Sequence, residues 1–131
     1  MKLGRAKEAL PMMETSMPTW RKMLGSSPDL AEPLYFLCKA YIDTGHFREG
    51  EKVAGELVAV QTGRVAPTDR RFGASHLLWA QALVGQHRDQ EALAHAVIAD
   101  RLLVNGFSPG AKLMNAEAQK LLADIQSRLA R

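Results

Sequence analysis

The side chains of this sequence that could bind a metal ion include four histidines, His46, His76, His87 and His95. A zinc pair on one helix needs two histidines at positions i and i+4, because only that spacing brings both rings to one ion. His87 and His95 lie eight positions apart, too far for such a pair, and no cysteine is near them in the sequence. We therefore expect no metal site.

The nucleophilic and acid–base groups form no catalytic pattern either. Cys38 could in principle act with a histidine and an aspartate, but it lies where a small inward-facing residue is expected, which favours packing. Asp43, Glu49 and Glu51 flank a predicted turn and are interpreted as solvated charges rather than as a carboxylate pair. The glycines are too widely separated to form a phosphate-binding loop. The sequence thus predicts no catalytic residue and no cofactor, and we do not expect an enzyme.

Composition predicts one small helical domain. The chain has 131 residues, of which 47% are hydrophobic and only 6% are aromatic. Alanine and leucine dominate, a mixture that suits closely packed helices better than a sheet. The net charge of +3 is carried by scattered Lys and Arg residues, whereas a nucleic-acid face would show a concentrated basic stripe. We therefore expect an all-α protein that does not bind nucleic acid.

The sequence also indicates a cellular compartment. The single cysteine, Cys38, excludes an internal disulfide and fits a reducing environment. The longest apolar runs fall far short of the roughly 20 residues that a membrane span needs, and the N-terminus has no signal-peptide core. We expect a cytoplasmic protein with no membrane partner.

Related segments recur at a regular spacing. Gly4 and Gly45 are 41 residues apart, Gly45 and His87 are 42 apart, and Pro28 and Pro109 are 81 apart, about twice that period. A period in the range of roughly 20 to 50 residues is typical of a stacked repeat array. Such arrays favour binding over catalysis.

Apolar residues at steps of three and four predict six helices. Ser27 or Asp29 is expected to cap the second, Thr68 or Asp69 the fourth, and Ser108 the last, while Gly45 and His87 occupy equivalent turns. The expected helices run from Ala6 to Leu24, from near Asp29 to Thr44, from Phe47 to about Gln61, from Thr68 or Asp69 to about Gln86, from Arg88 to about Val104, and from Ser108 to the end of the chain. Short turns predict antiparallel hairpins.

The first helix has two unusual features. Pro11 and Pro18 each remove a backbone donor, so we expect a bend or a late start. Four methionines, Met12, Met13, Met17 and Met23, are expected mainly to fill gaps in the core, although an adaptable partner groove is the alternative.

The residues from Trp20 to Gly50 resemble the tetratricopeptide repeat in its longer form of about 42 residues, found in kinesin light chains and bacterial multidomain regulators. The matching residues are Leu24-Gly25, Pro28-Asp29, Ala31, Leu34, Leu37, Tyr41, Gly45 and Phe47, with Cys38 as the small residue. The resemblance implies a right-handed α-solenoid, divided into a half repeat (1–25), two repeats (26–66 and 67–107) and a capping helix (108–131).

The resemblance also implies a concave face that holds a peptide or partner protein. The matching positions are Glu32, Tyr35, Phe36, Lys39 and Asp43 on the second helix and Leu77, Leu78 and Gln81 on the fourth. The family's backbone-gripping Asn pair is replaced by Tyr35-Phe36, which argues against that mode of binding. An aromatic surface with a lysine is expected to favour apolar or acidic segments, unless Tyr35 and Phe36 only seal contacts between helices.

The first helix has no hairpin partner in this repeat scheme. Either the chain is the C-terminal piece of a longer array, which we favour, or a second chain buries the apolar face of this helix. The expected function is therefore a protein-interaction module, with structural homo-oligomerisation as the alternative.

Overall fold

The computed structural model describes residues 3–25 and 27–131. Over these residues the chain is all-α and contains no strand. The elements are α1 (Leu3–Leu24), a 3₁₀ turn (Pro28–Leu30), α2 (Ala31–Asp43), α3 (Phe47–Gln61), α4 (Arg70–Gly85), α5 (Asp89–Leu103) and α6 (Pro109–Leu129). Within this described part, none of the helices combines the length and the apolar character that a bilayer crossing requires.

Helix α1 contains Pro11 and Pro18 in its interior. It begins at Leu3, before either proline, so the expectation of a late start was wrong. Each proline deprives the helix of one backbone hydrogen bond. Leu10 and Met17 are buried in a core cluster with residues of α2 and α3, and this packing offsets the loss.

Three side chains cap helices as their residue types predict. A side-chain oxygen accepts a backbone N–H at the start of the 3₁₀ turn (3.2 Å), of α4 (2.8 Å) and of α6 (3.0 Å). These caps satisfy amide donors that the first turn of a helix leaves without a partner. The capping residues are Ser27, Asp69 and Ser108.

The turns of the two central hairpins have the same backbone geometry. Gly45 and His87 both adopt a positive φ, +80° and +60° respectively. In each turn the amide of the following residue donates to the carbonyl five residues earlier, at 2.8 Å and 3.0 Å. This bond closes the end of a helix around a left-handed residue. The predicted equivalence of Gly45 and His87 is thus confirmed.

The helices pack in the order of the sequence, as a helical repeat array does. Each helix contacts the next along the chain, and α2 also contacts α4, as α4 contacts α6. The turns between α2 and α3 and between α4 and α5 are too short for anything but antiparallel hairpins. Alanines at the contacts, including Ala54, Ala80, Ala92 and Ala96, are completely buried and let the helix axes approach closely.

Candidate functional site

The even-numbered helices form the inner side of the array. Helix α4 contacts both α2 and α6, whereas over residues 3–25 and 27–131 the backbones of α1, α3 and α5 do not approach one another in this way. Helices that are closer to their next-but-one neighbours lie on the concave side of a curved stack. The concave face is therefore built by α2, α4 and α6.

A cleft of about 590 Å³ opens on this concave face. Its lining comes from all three even-numbered helices, from the 3₁₀ turn and from the end of α3. The lining residues are Pro28, Asp29, Ala31, Glu32, Tyr35, Phe36, Gln61, Arg71, Ala74 and Met114. We call this the concave cleft.

Three of the predicted site residues, Glu32, Tyr35 and Phe36, lie in the concave cleft. The rings of Tyr35 and Phe36 meet edge to face, with centroids 5.6 Å apart and planes at 87°. The side chain of Phe36 remains 44% exposed, although its ring also borders α1. Burial raises the pKa of Tyr35, and the charge of Glu117 on α6 raises it further.

Three further predicted residues lie beside the cleft and are partly buried. Lys39 and Asp43 continue the inner face of α2, and the Lys39 Nζ lies 3.5 Å from Asp43 Oδ1. The other oxygen of Asp43, Oδ2, is buried and has no hydrogen-bond partner among the described residues. Gln81 is half-buried on α4.

The remaining two, Leu77 and Leu78, belong to the core and do not form an accessible surface. They are only 4% and 3% exposed. Leu77 packs with residues of α5 and α6, while Leu78 joins the cluster formed by α1, α2 and α3. Both side chains are packed between helices, so a partner cannot contact them unless the helices separate.

Sequence reasoning missed the residues that α4 and α6 supply to the cleft, namely Arg71, Ala74 and Met114. The spacing from Arg71 through Ala74 to Gln81 follows one face of a helix and could have indicated the first two. Met114 lies 79 positions after Tyr35, and no local pattern connects them. Only the way in which the array brings α6 towards α2 places Tyr35 and Met114 in one cleft.

A second cluster joins His76 of α4 to His95 of α5. Their Nδ1 atoms are 2.9 Å apart. The ring centroids are 5.1 Å apart and the planes differ by 21°, so the imidazoles lie edge to edge and share one hydrogen bond. Trp79 stacks on His95 with a centroid distance of 4.1 Å. Sequence reasoning did not pair His76 with His95.

This histidine pair is neutral at ordinary pH. Burial, followed by the charge of His95, lowers the pKa of His76 to about 4, and burial also lowers the pKa of His95. One ring donates and the other accepts, which requires at least one neutral imidazole. Within the described residues, no group of three or more His, Cys, Asp or Glu side chains is arranged to hold a metal ion.

Cys38 is a buried thiol at the contact between α2 and α3. Its Sγ donates to the carbonyl oxygen of Gly50 at 3.3 Å, and burial raises its pKa to about 12. A thiol with so high a pKa forms little thiolate and is a poor nucleophile. The packing interpretation of Cys38 agrees with this geometry.

The concave cleft thus holds three of the eight predicted surface residues. Comparison of the chain with protein-family models, with curated proteins and with solved structures finds no match in any of the three.

Proposed function

We propose that this chain is a protein-interaction module of the tetratricopeptide type, whose concave cleft holds a segment of a partner protein. The supporting observation is the cleft itself, which opens between α2, α4 and α6 and presents the rings of Tyr35 and Phe36. Exposed aromatic residues in a concave site are typical anchors of protein interfaces. In this proposal the chain binds and does not catalyse.

The proposed location is the cytoplasm, within a larger regulator or scaffold protein. A free, buried Cys38 is compatible with a reducing compartment. The proposed partner is a protein or peptide, and neither nucleic acid nor a membrane is invoked.

Selection of random peptides on immobilised protein tests this function. We expect peptides whose affinity falls at least about tenfold in Tyr35→Ala, because losing an interface anchor costs more than about 1.4 kcal/mol. Phe107→Ala is the matched control, since Phe107 is an exposed aromatic on the loop before α6 and does not line the cleft. Circular dichroism verifies that each variant is folded, and Phe36→Ala replaces Tyr35→Ala if that variant unfolds. Equal binding to all variants would overturn the proposal.

A second candidate function, structural homo-oligomerisation, is favoured by an apolar pocket on α1. This pocket of about 310 Å³ is lined by Ala9, Met12, Met13, Ser16, Met17 and Trp20 together with Pro33 and Phe36. Of the four methionines expected mainly in the core, Met17 is buried while Met12 and Met23 are exposed. Burial of this pocket by a second copy predicts a dimer that forms without any other partner.

A further inference from the structure

The concave cleft carries more negative than positive charge. Five carboxylates lie in it, beside it or one helical turn from its lining, namely Asp29, Glu32, Asp43, Asp69 and Glu117. The cations in the same region are Lys39 and Arg71. The chain as a whole has a net charge of +3, so the acidic character of the cleft is a local feature.

Both cations already have partners. The guanidinium of Arg71 donates to both carboxylate oxygens of Asp69, through Nε at 3.0 Å and Nη2 at 2.8 Å. Lys39 lies 3.5 Å from Asp43. Among the described residues, each of these two cations therefore already has a carboxylate partner.

The other three carboxylates lie in or near the part of the cleft that contains Tyr35 and Phe36. Over residues 3–25 and 27–131, Asp29, Glu32 and Glu117 make no ion pair. Glu32 is one helical turn before Phe36, so both lie on the same face of α2. Glu117 is one helical turn after Met114, which lines the cleft from α6, so these two residues share one side of that helix. The aromatic residues of the cleft are thus accompanied by carboxylates on both α2 and α6.

We propose that the occupant of the concave cleft is a basic segment of a partner protein, in which Lys or Arg side chains alternate with apolar ones. A cation over an aromatic ring gains about 0.5 to 2 kcal/mol from the ring quadrupole. Neighbouring carboxylates stabilise the same charge, while Ala31, Ala74 and Met114 accept the apolar side chains. The inference rests on the proposed function and reverses the expectation of an acidic segment, because Lys39 is paired with Asp43.

Two labelled peptides test the inference by fluorescence anisotropy. The basic probe is Gly-Lys-Leu-Arg-Leu-Lys-Gly, and its twin Gly-Glu-Leu-Glu-Leu-Glu-Gly has the same apolar residues with the opposite charge. We expect the basic probe to bind and the acidic twin not to bind. The affinity of the basic probe should fall as salt is added, because exposed charges are screened.

A pair of double variants locates the effect. Glu32→Gln with Glu117→Gln removes two carboxylates from the cleft and should weaken binding of the basic probe about tenfold. Glu8→Gln with Glu49→Gln removes two exposed carboxylates elsewhere and should leave the affinity unchanged. Equal weakening by both pairs, failure of the basic probe to bind, or tighter binding of the acidic twin would overturn the inference.

The outcome of the peptide selection separates this inference from the proposed function. Selected peptides that require Tyr35 but lack Lys and Arg would leave the proposed function standing and would overturn the basic occupant. Failure to select any peptide that requires Tyr35 would overturn the proposed function and the inference with it.

Discussion

At the scale of single residues, the hydrogen bond between His76 and His95 holds α4 against α5 only while the pair carries at most one extra proton. A second proton would place two N–H groups opposite each other at 2.9 Å. His76 is almost completely buried, and Trp79 covers the pair from one side. The His76–His95 pair therefore makes the stability of the α4–α5 hairpin depend on pH.

We expect the folded state to lose stability as the pH falls from about 6.5 to about 4. The pKa of His76 is lowered from 6.5 to about 4 in the folded chain, so the unfolded state binds the proton first. The contribution is complete above the unfolded pKa and is lost through this window, with an upper bound of about 3 kcal/mol. Urea unfolding of the wild type and of His76→Gln at pH 7 and at pH 4.5 measures the difference.

The exposed His46 provides the matched control for this measurement. His46→Gln should retain the pH dependence of the wild type, whereas His76→Gln should lose part of it. Parallel pH dependence in all three proteins would show that the buried pair does not control acid stability.

At the scale of the helices, the two central hairpins meet where α3 begins and α4 ends. The Phe47 ring, at the first position of α3, lies directly against Gly85, the last residue of α4. A Cβ added to Gly85 would overlap the ring atoms. Gln86 reinforces the contact by donating from Nε2 to Glu51 at 2.9 Å. The absence of a side chain at Gly85 thus lets one hairpin dock on the other.

Gly85→Ala is therefore expected to destabilise the protein by about 1 to 3 kcal/mol, because the Phe47 ring must leave its site. Gly55→Ala is the control, since a methyl group there would lie 3.8 Å from the Trp79 ring, an ordinary contact. Alanine is also a better helix former than glycine by up to about 1 kcal/mol, so this variant should be as stable as the wild type or more so. Urea denaturation compares the two, and equal stability of Gly85→Ala and wild type would contradict the close docking.

At the scale of the whole molecule, the exposed apolar surface of α1 is where the two candidate functions differ. The largest exposed side chains around its pocket are Met12, Met23, Trp20 and Phe36, which are 41% to 71% exposed. Together they offer about 400 to 500 Å², close to the apolar share of the about 800 Å² that a stable interface buries on each partner. The oligomeric state therefore decides between the two candidate functions.

The interaction-module proposal leads us to expect that light scattering gives the mass of a monomer at micromolar concentration. Met12→Glu, which adds a charge to the α1 pocket, should leave that mass unchanged. A stable dimer in the wild type that dissociates in Met12→Glu would instead support the homo-oligomerisation candidate. Phe107→Glu is the control, because it charges another exposed apolar side chain far along the chain from α1.

Local interactions made much of this fold predictable. Helical periodicity, the caps at Ser27, Asp69 and Ser108, and the left-handed turns at Gly45 and His87 all depend on residues within one or two helical turns of each other. The period of about 40 residues then predicts that hairpins stack. Glu32, Tyr35 and Phe36 were indicated differently, as positions that match the tetratricopeptide repeat in the resemblance, and all three line the cleft.

Contacts between residues distant in the sequence were decided only when the helices packed. The pairing of His76 with His95, the position of Met114 beside the cleft and the burial of Leu77 and Leu78 depend on how α4 is rotated against α2, α5 and α6. Helical spacing shows which residues share one face of a helix. It does not show which of two adjacent faces is buried, because packing against other helices sets the rotation of the helix about its axis. The acidic character of the cleft has two origins. The ion pairs of Lys39 with Asp43 and of Arg71 with Asp69 are local in the sequence, whereas packing brings the part of α6 that contains Met114 to the cleft.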